Sequence, residues 1–335
     1  MKRKKPVPNM EDMDELDGGD TENFGDFPMP PVPHDPFLTE RFNRIVGRYF
    51  EENTPRTIEE ANRVMQSRFM GHNLDELLEE TRKKDWSDAD EAQEIMFEAM
   101  STDSFEEAQK GVKKALQLDP NNADALLFAS IKEAEDVDDA VRRIREAIAR
   151  VETAFGAEFM EETKGHFWGD VFTRPYMRLR LGLFHILNEA ERWDEAIAEA
   201  EGILELNPDD NQGVRDHLLL AYLVVGNAKQ ARALMKRYPE SHKAVQAWAT
   251  VFEKYISNNK EGAKKVLLKA VKNNPHILKY MLGVEALPDS PPPYSSPGTE
   301  SEAIYCMDFL IPVLLKRKNL LHWINETLVR HGIFV

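Results

Sequence analysis

Cysteine is almost absent from this sequence, since Cys306 is the only one among 335 residues. A single thiol cannot close a disulfide within the chain, and this is usual for proteins of a reducing compartment. Long apolar runs are missing too: the longest candidates, 218–225 and 307–315, fall short of the roughly 18 residues that a membrane span needs. The basic residues 2–5 are followed by proline and acidic residues instead of an apolar segment, so no signal peptide is predicted. We therefore expect a soluble, cytoplasmic protein with no membrane partner.

Positive charge is also scarce. The chain has 43 lysines and arginines against 59 aspartates and glutamates, and its formal net charge is -16. Such a surface repels nucleic acid unless its basic residues are segregated on one face, so no nucleic-acid partner is expected. Stretches rich in Val, Ile and Thr are rare, whereas Ala, Leu, Glu and Lys dominate. This composition favours an all-α fold.

The first part of the chain divides into a tail and a set of helices. Residues 1–38 combine clustered acidic side chains, prolines and few apolar residues, which predicts a disordered acidic tail. Residues 39–87 are predicted to form N-terminal helices. One of them begins with Thr57 as its cap, and another spans 73–84.

A repeated spacing organises residues 88–282. Three times, a small residue in a predicted helix is followed 12 positions later by a proline. Ala140 and Ala231 fill the gaps and give separations of 32 and 35 residues from one small residue to the next. A period near 34 with two helices per unit is typical of tetratricopeptide repeats. The spaced pairs are Ala108 and Pro120, Ala196 and Pro208, and Ala263 and Pro275.

The residue types suit this architecture. A small side chain lets two helices approach closely, and a proline ends the second helix of a unit. We expect about five helical hairpins in a tetratricopeptide-like solenoid. A proline-rich connector at 283–298 then leads to helices at 299–335, which cap the array because a solenoid must cover its last apolar face. The interval from Ala140 to Ala196 is 56 residues and places an insertion at about 153–173.

The insertion leads into the most distinctive motifs of the chain. They are GHFWG at 165–169, TRPYMRLR at 173–180, LNPDDNQGVR at 206–215 and NPH at 274–276. In this combination the chain resembles the suppressor-of-tumorigenicity-7-like family, in particular its short bacterial tetratricopeptide members. The resemblance covers roughly residues 88–310, and a proline run at 290–297 departs from the family pattern. It implies a helical-repeat fold, protein interaction and no established reaction.

Arginines in these motifs are the candidate binding residues. Arg174 and Arg178 are four apart, as are Asn211 and Arg215, so each pair shares one face of a helix. First helices of stacked hairpins line a concave surface, where guanidinium groups suit bidentate recognition of carboxylates. The four residues are predicted to meet one peptide or anionic ligand, with His166 and Trp168 beside them. In the alternative, the arginines are internal ties that pair with acidic residues of the chain, such as Glu162, Asp170, Asp209 or Asp210.

No residue pattern indicates catalysis. His166, His185 and His217 lack the spacing of a metal-binding pair, and no cysteine assists them. No motif places a base beside Cys306, and the glycine patterns that cradle phosphates or dinucleotides are absent. We expect no metal, no cofactor and no enzymatic activity.

Three functions remain open from the sequence. The leading expectation is a non-enzymatic scaffold that binds another protein or a peptide along the concave face of the array. The second is a structural subunit whose repeats mediate self-association into a homo-oligomer. The third is an enzyme or binder of a small anionic ligand held by the arginines, although no motif supplies an acid, base or nucleophile for it.

Overall fold

The computed structural model describes residues 37–239, 244–290, 292 and 294–334. The described part contains helices and no strands, which confirms the all-α class, and none of these helices is long and apolar enough to cross a membrane. Residues 1–36 of the tail predicted at 1–38 lie outside the described residues. Its last residue, Leu38, is the first residue of α1. A π-helical segment, Met65–Phe69, continues α2. The helices are α1 Leu38–Glu52, α2 Ile58–Val64, α3 Leu74–Asp85, α4 Asp88–Ser101, α5 Phe105–Leu118, α6 Ala123–Lys132, α7 Val137–Phe155, α8 Ala157–Glu162, α9 Arg174–Glu189, α10 Trp193–Leu206, α11 Val214–Val225, α12 Ala228–Arg237, α13 Ala244–Ile256, α14 Lys260–Asn273, α15 Ile277–Met281, α16 Glu300–Lys316 and α17 Lys318–Arg330.

Helices α4 to α7 and α9 to α14 form five consecutive hairpins. In each hairpin the second helix packs against the first, and where another hairpin follows it also packs against the first helix of that one. The first helices α4 and α6, α6 and α9, and α11 and α13 also pack against one another. The hairpins therefore stand side by side, with their first helices on one side of the array.

The small residues of the repeated spacing lie in the second helices. Ala196, Ala231 and Ala263 are fully buried there, and Ala108 and Ala140 are nearly so. A larger side chain at these positions would push the paired helices apart. In three hairpins the second helix ends within two residues of a proline, namely α5 before Pro120, α10 before Pro208 and α14 before Pro275.

Side-chain caps set where many of these helices begin. At the start of α4, the Ser87 hydroxyl accepts a hydrogen bond from the Asp90 N–H, and the Asp90 carboxylate accepts one from the Ser87 N–H. The side chains of Asn122 and Asp136 cap α6 and α7 by accepting a hydrogen bond from the N–H of Ala125 and of Asp139, respectively. Each cap satisfies an N–H that the first helical turn leaves without a partner. Helix α11 ends at Gly226, whose φ of 88° is a conformation that glycine adopts without strain.

The interruption of the period lies between α7 and α9. Helix α7 is 19 residues long, and α8 and a series of turns at 163–173 follow it. Phe167 is fully buried in these turns, beside the rings of Phe155 and Phe159. Its N–H donates to the carbonyl of Leu206, 3.1 Å away. The segment between α7 and α9 is thus an ordered part of the core.

Among the described residues, the apolar core is divided into three clusters. The largest runs through the hairpins from α6 to α14 and includes α16 and α17. A smaller one lies between α4, α5 and α6. The third joins α1, the π-helical segment and α3 through Ile45, Phe69, Leu77 and Leu78. Helices α1 to α3 thus have a core of their own, and we call them the N-terminal unit.

The two C-terminal helices take different positions. Helix α17 packs against α14, the last hairpin helix, as expected of a cap. Helix α16 packs against α11 and α13, the first helices of the last two hairpins, and continues through Pro312. Helix α16 was expected to cap the end of the array, but it lies along the side of it instead. Its apolar side chains, such as Met307 and Leu310, are buried there.

Candidate functional site

Two helices that are far apart in the sequence lie on the same side of the array. Side chains of α1 contact α4 and α9, and α16 packs against α11 and α13. All four of these partners are first helices of hairpins. We call the surface that α4, α6, α9, α11 and α13 present to α1 and α16 the first-helix face. It is the candidate site because it contains Arg178, one of the predicted binding residues.

Arg178 lies at the centre of a polar network on this face. Its guanidinium donates bidentate hydrogen bonds to Asp124 of α6, at 2.8 and 2.7 Å, and to Glu40 of α1, at 2.7 and 3.0 Å. Burial opposes the charge, but Asp124 and Glu40 outweigh it and hold the pKa of Arg178 above its ordinary value. Asp124 also accepts a hydrogen bond from Gln93, which accepts one from Asn122. Arg178 therefore ties α9 to both α6 and α1.

Three arginines of α1 face a stripe of carboxylates on α4. Arg48 donates two hydrogen bonds to Asp90, at 3.2 and 2.8 Å, and Arg41 donates one to Glu94. Arg44 lies 3.8 Å from Asp90, and burial lowers the pKa of this guanidinium. Asp90 and Glu94 are four residues apart and share one side of α4. Helix α1 thus presents positive charge to a negative stripe of the first-helix face.

Aromatic rings complete the contact of α1 with the hairpins. The guanidinium carbons of Arg44 and Arg48 lie 4.7 and 4.5 Å from the ring centre of Phe172, in the turns before α9. Phe37 packs against Phe97 of α4, with ring centres 5.3 Å apart. Stacking on an aromatic face leaves a guanidinium free to donate hydrogen bonds in its own plane.

Helix α16 covers the other end of the face by apolar contact. Leu310 and Val313 are fully buried in the main core. Arg317, just after the helix, donates to the carbonyls of Leu223 and Val224 at 3.1 and 3.3 Å. These carbonyls belong to the last turn of α11, where a helix leaves its acceptors without partners. Helix α16 is therefore an integral part of the array.

An open stretch separates the two covered ends. His185 is seven residues after Arg178 on α9, so both lie on the same side of that helix, and His185 is exposed. His217 of α11 is partly buried, with its ring centre 4.6 Å from that of Phe309 of α16 and 5.9 Å from that of His185. Burial, together with the nearby His185, lowers the pKa of His217 to about 4. One side of the His185 ring is covered by Phe184 and His217, and this partial desolvation lowers the pKa of His185 as well, so both rings are neutral at pH 7.

The structure gives the predicted arginines separate neighbours. Arg174 lies over Trp168, 5.2 Å from its ring centre, and donates to the carbonyl of the same residue at 2.9 Å. Arg215 lies 3.5 Å from Asp210, one of the partners named in the internal-tie alternative. Arg178 pairs with Asp124 and Glu40, which the sequence did not suggest. The arginines thus contact parts of their own chain, and the third open function, a small anion held by them, gains no support.

The other predicted residues lie at the surface. Asn211 and His166 are exposed, and Trp168 is partly covered by Arg174. Among the six predicted positions, Arg178 forms an ion pair with a helix from outside the hairpins. The structure therefore moves the centre of the candidate site from the segment 165–180 to the surface between α1, α4, α6 and α9.

Sequence reasoning missed the residues that complete this site. Glu40 is 138 positions from Arg178, and Asp124 is 54 positions away, so no local pattern connects them. One signal was present in α1. Glu40, Arg41, Arg44 and Arg48 recur at helical spacing, which gives the helix a charged side opposite its apolar one.

We also looked for residues that could bind a metal ion or act through a thiol. Within the part of the chain that the structure describes, no group of three or more His, Cys, Asp or Glu side chains could hold a metal ion. Cys306 is buried, and its burial raises the pKa of the thiol above its ordinary value. Such a thiol stays protonated and acts as a small apolar residue.

No protein-family model matches the chain, and no curated protein matches it. The resemblance to the suppressor-of-tumorigenicity-7-like family therefore stays a prediction.

Proposed function

We propose that this chain is a non-enzymatic scaffold of the tetratricopeptide type, whose first-helix face binds a helical segment of another protein. The position of α1 and α16 carries the proposal. Both helices come from outside the hairpins, α16 packs against first helices, and α1 reaches first helices through its long side chains. One is held by ionic contacts and the other by apolar contacts, so the face offers both kinds of recognition that a groove uses for an amphipathic helix.

Other features support the same function. The hairpins follow one another with a buried small residue in each second helix, as expected of a tetratricopeptide array. The stretch around His185 leaves part of the face open to a partner. The single buried cysteine fits a cytoplasmic protein in a reducing compartment.

Site-specific photocrosslinking tests this function. A photoreactive amino acid at His185, on the open part of the face, is expected to crosslink to a partner in extracts of the native host. The same amino acid at Lys114, exposed on the second helix α5, is the matched control and should give no such product. Equal crosslinking from both positions, or none from His185, would contradict the proposal.

Self-association is the second candidate function. The apolar side chains of Leu315, Val329 and Phe334 are exposed near the C-terminal end of the array, at 67, 48 and 76%. Exposed apolar side chains of this size are a feature of interaction surfaces. Light scattering of the purified chain separates the two functions, because a defined oligomer without a crosslinked partner favours self-association.

A further inference from the structure

The two helices on the first-helix face are attached in different ways. Helix α16 belongs to the main apolar core. Helix α1 belongs to the separate core of the N-terminal unit, and its side toward the hairpins carries arginines paired with carboxylates. A polar contact between units with separate cores resembles a transient protein–protein interface more than a shared core.

The packing beneath α1 is incomplete. Helix α1 packs closely against α3, whereas long side chains bridge it to α4 and α9. A cavity of about 70 Å³ remains between α1, α3 and α4. Arg48 is 45% exposed where it pairs with Asp90, and an ion pair that solvent reaches contributes little net stability. The pairs of Arg41 with Glu94 and of Glu40 with Arg178 are less exposed, and the departure of α1 returns these groups to water, which offsets part of the lost pairing. The N-terminal unit can therefore leave the face without opening the core of the hairpins.

The charge pattern of α1 indicates what kind of helix could bind in its place. A glutamate, Glu40, is followed by arginines at the next, the fourth and the eighth positions after it. The arginines meet Asp90 and Glu94, and the glutamate meets Arg178. The pair of Glu40 with Arg178 differs from the others, because here the negative charge is on α1 and the positive charge is on the face. It fixes the position of α1 along the face, since a shift by one turn would bring Glu40 beside a carboxylate.

We propose that the part of the first-helix face under α1 is a docking site for an arginine-bearing helix of a partner protein, with α1 as its resident competitor. This inference rests on the proposed function, since it names the partner for one end of the same face. The partner helix pairs its arginines with Asp90 and Glu94 and an acidic residue with Arg178. Because α1 is tethered beside the site, it lowers the apparent affinity of the partner in proportion to the time it occupies the face.

A peptide-binding experiment with the full chain tests the inference. The probe is a fluorescent peptide with the sequence of residues 37–54, and anisotropy measures its binding. The variant R41E/R48E places glutamates of α1 against Asp90 and Glu94 and releases the helix while leaving the face intact. This variant is expected to bind the probe at least about tenfold more tightly than the wild-type chain does. The milder R41Q/R48Q serves if the charge reversal prevents folding, as judged by circular dichroism.

Two controls assign the gain to the charges. Adding D90N and E94Q to the released variant keeps the shape of the face and should remove the gain. A probe in which the three arginines are replaced by glutamine should bind neither protein. Unchanged affinity in the released variant, or equal binding of the glutamine probe, overturns the inference. A wild-type dimer that dissociates when the probe is added also overturns it, because the occupant would then be a second copy of this chain.

The outcomes distinguish the inference from the proposed function. Crosslinking from His185 without binding of the arginine probe means that the face binds a partner of other chemistry, and only the inference fails. Absence of both means that the face is not a binding surface, and both fail.

Discussion

At the scale of single residues, Arg178 shows how one side chain can hold three helices together. Its guanidinium donates hydrogen bonds to two carboxylates, one on α6 and one on α1. All three groups have low exposure, and this strengthens each ion pair. The sequence alone identified this arginine as important. It could not name Asp124 or Glu40, because their proximity arises only when the hairpins stand side by side.

Replacing Arg178 by alanine is expected to lower the free energy of unfolding by about 3–5 kcal/mol, because it leaves Asp124 as a buried carboxylate without its guanidinium. Arg174→Ala is the matched control, four residues earlier on the same helix. It should cost about 1 kcal/mol or less, the contribution of a stacked cation. Urea unfolding of both variants measures the difference. Equal losses would show that Arg178 does not hold the network together.

The low pKa of His217 makes the stability of the chain depend on pH. The unfolded chain takes up a proton at the ordinary pKa of 6.5, whereas the folded chain does so near 4. Protonation therefore favours unfolding, and the stabilisation present above pH 6.5 is lost as the pH falls toward 4. Between pH 7 and 5 the expected loss is about 2 kcal/mol. His217→Gln should lose correspondingly less over the same interval in urea unfolding. A parallel slope in the variant would assign the pH dependence to other groups.

At the scale of elements, local signals in the sequence predicted most of the helices. Helix α3 was expected at 73–84 and spans Leu74–Asp85, and Thr57 caps α2 as expected. Caps, small residues and prolines act within a few positions, so the sequence displays them directly. The position of α16 was not foreseen, because its apolar side chains fit equally well against the end or the side of an array.

The close approach of α4 and α5 depends on Gly111. A Cβ at this position would lie 2.8 Å from the Cβ of Ala99, and both atoms are fixed to helical backbones. Gly111→Ala gains about 1 kcal/mol of helix propensity but pays about 1–3 kcal/mol for overpacking. We expect a net loss of about 1 kcal/mol in thermal or urea unfolding. In an Ala99→Gly background the same substitution should be stabilising, and an unchanged cost there would contradict the contact.

At the scale of the whole molecule, α1 and α16 belong to separate apolar clusters, and we expect salt to affect the stability of the two helices differently. Raising the salt concentration from about 0.1 to about 1 M shortens the screening length from about 10 to about 3 Å. The ion pairs of α1 weaken under these conditions, whereas the apolar contacts of α16 do not. Amide hydrogen exchange is therefore expected to become several-fold faster in α1, with no comparable change in α16. Equal acceleration in both helices would show that α1 shares the stability of the main core.

The overall order of the molecule could be foreseen only in part. The period of the small residues pointed to helical hairpins, because each hairpin repeats a local pattern, and the structure shows helices that pair in this way. The closing of the first-helix face by α1 and α16 depends on contacts across 138 and 94 positions. Such contacts leave no periodic trace in one sequence.

The return of α16 to α11 has a consequence for protein synthesis. Arg317 meets a carbonyl 94 residues earlier in the chain, so α11 leaves the ribosome long before its cover has been made. At roughly 5–20 residues per second, the apolar side of α11 waits about 5–20 seconds for its partner. The nascent chain is therefore exposed to aggregation and chaperone binding at α11 until α16 is released and packs over it.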